Sequence, residues 1–383
     1  MDFSNLTGYP LIDGHIHYSH PDLMPGLIGV LDEMGLDRFN IVCTPERQRL
    51  SLVPDALHIK AHYPERIFVF GGMDVSALFM APQQAGEIFA DYVDMLLSLG
   101  CDGIKMIEGK PDMRKSLPIP NFDSPIYAPY WERIAERNVP LVFHVNDPEE
   151  FWDEDLLPDW ALERGWYYGD GSYINNEDQY TQVLNVLERH PDIKVIFAHF
   201  FFLSAQLPRL AEYLDQFPGM HIDLTPGIEM YHNFSTSPDV VREFFMKYQD
   251  RIVYGTDIGA KALLVSPDLG VEREESQARV FVVRNFLETE GAYNLPGDGG
   301  FLFGKPEKPY LGIALPKDVL EKIYYKNFER LAGERPRALN PGGIVAECGR
   351  IIGTLGALSA VQPDEVQDSS VAERVMGYFQ SQM

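Results

Sequence analysis

Eight short, almost continuously apolar runs punctuate the chain. They are LIDGHIHYS (11–19), FNIVCTP (39–45), RIFVFGGMD (66–74), GCDGIKMIE (100–108), VPLVFHVND (139–147), IKVIFAHFF (193–201), MHIDLTPG (220–227) and RIVYGTDIG (251–259). Each is rich in Val, Ile and Phe, as strands are when both faces of a parallel sheet are covered. Amphipathic helical patterns lie between them, among them 85–100, 127–138, 177–191 and 237–250. Three of these stop at a Gly, Asn or Pro shortly before the next strand, and Ser237-Pro238 reads as an N-cap followed by Pro at the first helical position. Strand and helix alternating eight times predict an α/β fold, a (β/α)8 TIM barrel. A doubly wound sheet would want a GxGxxG turn after the first strand, and none is there.

Three stretches break the rhythm. Residues 148–176 collect Trp152, Trp160, Trp166, Tyr167, Tyr168 and Tyr173 among many acids. Residues 260–316 hold a long helical piece and then the Gly/Pro-rich NLPGDGGFLFGKPEKP. Both read as loop insertions, after strands 5 and 8, of the kind used as lids or interaction surfaces. KDVLEKIYYKNFERLAG (317–333) reads as a closing helix, and 340–383 as a peripheral extension of one or two helices. One domain over 1–383 is expected, with its core at 10–333 and a C-terminal extension at 334–383.

Composition narrows the partners. Thirty-two basic against 57 acidic residues give a net charge of −25, which disfavours nucleic acid and anionic lipid. No run in the sequence reads as long enough to span a membrane, and the N-terminal residues lack a basic, apolar leader pattern. Cys43, Cys101 and Cys348 are scattered, with neither disulfide nor thiolate-zinc spacing. The expectation is a cytoplasmic protein, a homodimer being open, whose partner is a small-molecule substrate.

The polar residues on the strands are selective. His15 and His17 end strand 1, His144 ends strand 5, His199 ends strand 6 and Asp257 ends strand 8. The C-terminal strand ends of a barrel meet on one face, so these five converge there. Period-two alternation puts His15 and His17 on one side of their strand, with Ile16 on the other. One buried histidine is ordinarily a hydrogen-bonded core residue. Four with an aspartate, all at the same strand ends, point to a divalent metal, and the donor set suits Zn2+, Fe2+, Mn2+ or Co2+.

HIH on strand 1, VPLVFHV, IKVIFAHF, RIVYGTD and the YYKNFERLAG helix together resemble the amidohydrolase superfamily. The resemblance runs from about residue 10 to 333 and is strongest to the amidohydrolase-related (amidohydrolase 2) branch of hydrolases, lactonases and non-oxidative decarboxylases. It implies a metal, Zn2+ first, on His15, His17, His144 and Asp257, with His199 a second-site ligand or the group that orients or protonates substrate. Asp257 would shuttle a proton between water and leaving group, and His199 would stabilise an oxyanion. Lys105 on strand 4 alternates toward the barrel axis. It is either a carboxylated lysine bridging two metals, as in several superfamily members, or an ammonium facing a carboxylate. One ion is favoured. Glu108 is a lesser candidate ligand, and Asp223 and Thr225 are candidate partners for a ligating imidazole. His20, Trp152, Trp166 and His232 are candidate substrate contacts, the two tryptophans either in a lid or packed under their own loop. Arg114 and Arg164 are possible anion-binding groups.

The expected activity is metal-dependent hydrolysis of a C–N or C–O bond next to a carbonyl. The alternatives are metal-dependent decarboxylation of an aromatic or unsaturated acid, and a barrel that binds metal and ligand without turnover.

Overall fold

A computed structural model describes residues 6, 8–157, 159–227, 229–260, 271–295, 308–361 and 367–383. Eight parallel strands pair in chain order: β1 (Ile12–Ile16), β2 (Arg38–Val42), β3 (Ile67–Gly72), β4 (Gly103–Gly109), β5 (Leu141–Val145), β6 (Val195–Phe197), β7 (Met220–Asp223) and β8 (Ile252–Val253). The segment after β8 then returns to β1. Gly14 N–H donates to Tyr254 O (2.9 Å), Asp257 N–H to His15 O (2.9 Å) and His17 N–H to Ile258 O (2.8 Å). These bonds close the cylinder, and the fold is the expected TIM barrel.

All eight expected strands are present, each shorter than its apolar run. β8 is only two residues long, and β6 stops before His199. Helices fill the spaces between, and Gly100 and Asn138 end theirs in the left-handed conformation (φ 104° and 49°). Pro238 opens its helix as expected, but the Ser237 side chain makes no capping hydrogen bond.

The floor of the barrel is a separate apolar plug of Ile12, Val42, Phe68, Phe70, Val142, Ile196 and Val253. Phe328 of the closing helix enters it from below, 5.1 Å from the Phe68 ring. That helix is continuous over 317–332 but contains a π turn at Lys322–Lys326, where Ile323 O accepts from Tyr254 N–H (2.9 Å).

The insertion at 260–316 contains α1 (Arg273–Glu288) and a hairpin of Glu290–Tyr293 with Tyr310–Ile313; residues 261–270 and 296–307 lie outside the described residues. The extension forms two helices, Pro341–Val361 and Ser370–Gln380. Pro341–Ala360 corrects one sequence expectation, because it is long and apolar enough to cross a membrane. Its apolar character is spread over many Gly and Ala residues rather than a run of bulky ones. Its two charges, Glu347 and Arg350, pair with each other (2.7 Å), and Arg350 also pairs with Asp74 at 2.8 Å.

Candidate metal centre

Two local irregularities aim the side chains at the barrel mouth. Ile12 belongs to the inner plug and Ile16 to the outer apolar layer, although strict alternation would put both on one side. The β1/β2 register shifts between Asp13 and Ile16, so one extra residue resets the parity. His15 and His17 therefore face the axis above the plug. Asp257 has φ 60°, a left-handed conformation that points it back over the barrel mouth. Gly255 leaves room for His15: a Cβ there would stand 3.3 Å from the His15 Cβ and 2.9 Å from Thr225 Cγ2.

His15, His17 and Asp257 converge, with one donor atom of each lying within 4.8 Å of the others and all three buried. Asp257 Oδ1 is 3.1 Å from His17 Nε2 and 3.7 Å from His15 Nε2. A tetrahedral ion with bonds of about 2.0–2.1 Å separates its ligands by about 3.4 Å, so the spacing fits a shared cation. His15 Nδ1 donates to Asp223 Oδ2 at 2.8 Å, which leaves Nε2 its lone pair. His17 Nδ1 is buried without a hydrogen-bond partner, and His144 Nε2 has Asp147 Oδ1 beside it at 3.4 Å. Burial pushes both the His15 and His17 imidazoles down, so they are neutral donors.

Burial opposes the Asp257 charge, but His17 and Arg279 hold its carboxyl well below the usual range. Asp13 is the hidden partner of this seam. Its Oδ1 accepts from His15 N–H and Thr256 N–H, each at 3.1 Å, and burial pushes its carboxyl up to about 7.

His144 faces Asp147 (Nε2 to Oδ1, 3.4 Å) and packs on His199, ring centroids 5.0 Å apart; it is not in the tight group of three. His199 sits past β6, in a run of four consecutive residues with φ between 53° and 58°. Its N–H is held by Asp223 Oδ1 (2.9 Å) and Thr225 Oγ1 (3.0 Å). Burial pushes the His199 ring down to about 3. Its Nδ1 faces Thr225 O at 3.3 Å, and a carbonyl only accepts. The same Nδ1 stands 3.3 Å from Thr225 Oγ1, so Thr225 fixes the orientation of the ring.

Lys105 Nζ reaches within 3.2 Å of His15 Nε2 on the barrel axis, and burial lowers it to about 8 against the pull of Asp223 and Asp257. Glu108 lies close enough to Lys105 for the two charges to act on each other, but it is not in the group of three. It is buried near Tyr127 and Tyr130, with one oxygen unpartnered, and burial raises it to about 7.

The remaining candidates lie apart. His20 is partly exposed and accepts from Asp22 N–H at 3.2 Å, while His232 packs on Tyr310, rings 4.9 Å apart. Trp152 donates to Ile174 O (3.1 Å) and Trp166 stacks on Phe151, so the described part of the aromatic loop has a small core of its own. Tyr168 ties that core to the mouth by donating to Asp147 Oδ2 at 2.8 Å. Arg114 is bound to Pro120 O, Asn121 and Gln182, while Arg164 lies over the Trp166 ring. The side chain of Trp160 lies outside the described residues.

Arg279 and Asp147 were missed. Their signal was faint: a polar residue inside the apolar stripe of an insertion helix, and an acid three places after a histidine.

A model of the family described as Amidohydrolase matches residues 74–333, more than half the chain. The chain belongs to the amidohydrolase family. That family includes hydrolases and decarboxylases, is mostly enzymatic and is typically metal-dependent. Among solved structures, this amidohydrolase is similar to an amidohydrolase II (14% identity, TM-score 0.48, covering 84% of this chain and 99% of that one). It is also similar to a putative 2-pyrone-4,6-dicarboxylic acid hydrolase from Pseudomonas putida (11%, 0.47, 85% and 98%). A third is an amidohydrolase from Mycoplasma synoviae (13%, 0.40, 91% and 95%). No curated protein matches the chain.

Asp223 offers a test of the centre. Asp223→Asn is expected to weaken metal binding by about 10–100-fold, since it orients His15 and the His199 backbone together. Titration of stripped protein with Zn2+ checks this, and wild-type affinity in the variant contradicts it.

Proposed function

We propose that this amidohydrolase is a metal-dependent hydrolase of a C–N or C–O bond adjacent to a carbonyl, in an amide, lactone or ester. The observation that carries the reading is a buried Asp257 whose Oδ1 lies 3.1 Å from His17 Nε2 and 3.7 Å from His15 Nε2, the three groups converging on one point. His15, His17 and Asp257 would hold one divalent cation, Zn2+ first, and His144 and His199 stand next to them. Such a cation supplies Lewis acidity, acidifying water and polarising a carbonyl.

The chain's own groups do the rest. Asp257 Oδ1 accepts a proton from the attacking water and returns it to the leaving nitrogen or oxygen. His199, beside His15 and His144, orients that water. Lys105 neutralises the carboxylates around the axis and is placed to meet a carboxylate on the substrate. That placement also supports a second reading, decarboxylation of an aromatic or unsaturated acid, in which no water is consumed. Three buried free thiols fit a reducing, cytoplasmic setting.

The test is turnover of purified protein on a panel of lactones, esters, amides and aromatic carboxylates, before and after chelation. Hydrolysis that stops on chelation and returns with Zn2+ supports the first reading. Release of carbon dioxide from a carboxylate turns the assignment to the second. Turnover unchanged by exhaustive chelation removes both.

A further inference from the structure

The chemistry assigned to Asp257 uses one of its oxygens, and the structure is specific about the other. Asp257 Oδ2 is 3.3 Å from Nη1 of Arg279, one of the largest fully buried side chains. The same Nη1 donates to Thr256 O at 3.2 Å, so the guanidinium grips both the carboxylate and the backbone that carries it. One turn earlier on α1, Glu275 Oε1 is 3.1 Å from the Arg279 Nε. The guanidinium is fixed at both ends and cannot swing away.

We infer that Arg279 is a positioning residue that confines Asp257 to a single ligating oxygen and thereby holds the centre's affinity for its cation down. The inference rests on the metal-centre reading above. A carboxylate free on both sides binds a cation through two oxygens and with more charge. Here one oxygen is occupied by a five-donor fork that offers no acceptor. A second positive charge also stands behind the carboxylate, where it opposes the incoming ion. Asp257 Oδ1 is left weakly held, as a group that must take up and return a proton requires.

A purely structural role, tying α1 to the barrel, predicts that loss of Arg279 weakens cation binding along with the fold. The positioning role predicts the opposite sign. The experiment uses full-length protein stripped with a chelator and titrated with Co2+ alone against a chromophoric competitor. Unfolding and the Co2+ visible spectrum are recorded in parallel.

Arg279→Met is expected to bind Co2+ at least tenfold more tightly, with a visible band weakened by the extra ligand oxygen, while turnover falls. Arg279→Lys keeps the charge without the fork, and its affinity is expected to lie between wild type and Arg279→Met. Glu275→Gln removes the guanidinium's other counter-charge and is expected to lower affinity at least threefold. If Arg279→Met does not fold, the opposite signs of Arg279→Lys and Glu275→Gln carry the test. Folded Arg279 variants that bind Co2+ as wild type or more weakly overturn the inference. A wild-type protein that takes up no cation removes the metal-centre reading beneath it, a separate result.

Discussion

Asp257→Asn is expected to reduce kcat/KM by about 10²–10⁴-fold, the usual worth of a positioned general acid–base, and to strip most of the bound metal as well. The second effect follows from Arg279, which only donates. With Oδ2 facing Arg279 Nη1 at 3.3 Å, the asparagine amide turns its one oxygen to the guanidinium and its NH2 toward His17 and His15. An NH2 has no lone pair for a cation and takes up no proton. The measurements are elemental analysis of the purified variant and turnover on whichever substrate the panel identifies. Full turnover in Asp257→Asn contradicts the proton-shuttle role.

The largest expected loss of stability lies at the opposite end of the barrel. Lys60 Nζ donates to Asp102 Oδ2 at 2.6 Å and to Gly100 O at 2.7 Å, and both side chains are wholly buried. Asp102 also accepts from Val69 N–H (2.8 Å) and Arg337 N–H (2.6 Å), which anchors the start of β4 and the entry to the C-terminal extension. Lys60→Met strands a carboxylate in the core, at a cost of about 3–5 kcal/mol. Adding Asp102→Ala should cost less than the sum of the two single changes, because the groups share one network. Urea unfolding measures both, and a loss under about 1 kcal/mol for Lys60→Met would show the pair to be energetically slack. Turnover of the folded fraction should not change, because this pair sits on the face where barrels keep stability rather than chemistry.

Both ends were legible to different degrees. The eight strands could be read because continuous apolar runs are what a doubly covered sheet demands. His15, His17 and Asp257 could be read as a converging set because strand ends share one face. The exact reach of the strands could not. Four successive residues from His199 to Phe202 lie in the left-handed region, which bulky side chains avoid locally. Distant partners help hold them there: Asp223 and Thr225 on the His199 N–H, and Tyr180 on Phe201 O at 3.0 Å. Local pattern contains no trace of such partners, so AHFFF read as strand. The added residue in β1 was hidden for a similar reason, since alternation counted from His15 agrees with alternation from Ile12 only after the register shift. Arg279 carried only a faint signal, because an amphipathic helix does not tell which of its interior polar residues meets a distant strand end.

The closing joint of the cylinder has a consequence for how the protein is made. Asp13 and Thr256, bonded across it, are 243 positions apart in sequence. The imidazoles of β1 leave the ribosome long before their acidic partner exists, and the nascent molecule must carry an unfinished seam through most of its synthesis. The barrel seam and the meeting of His15 and His17 with Asp257 therefore arrive together, with the last stave.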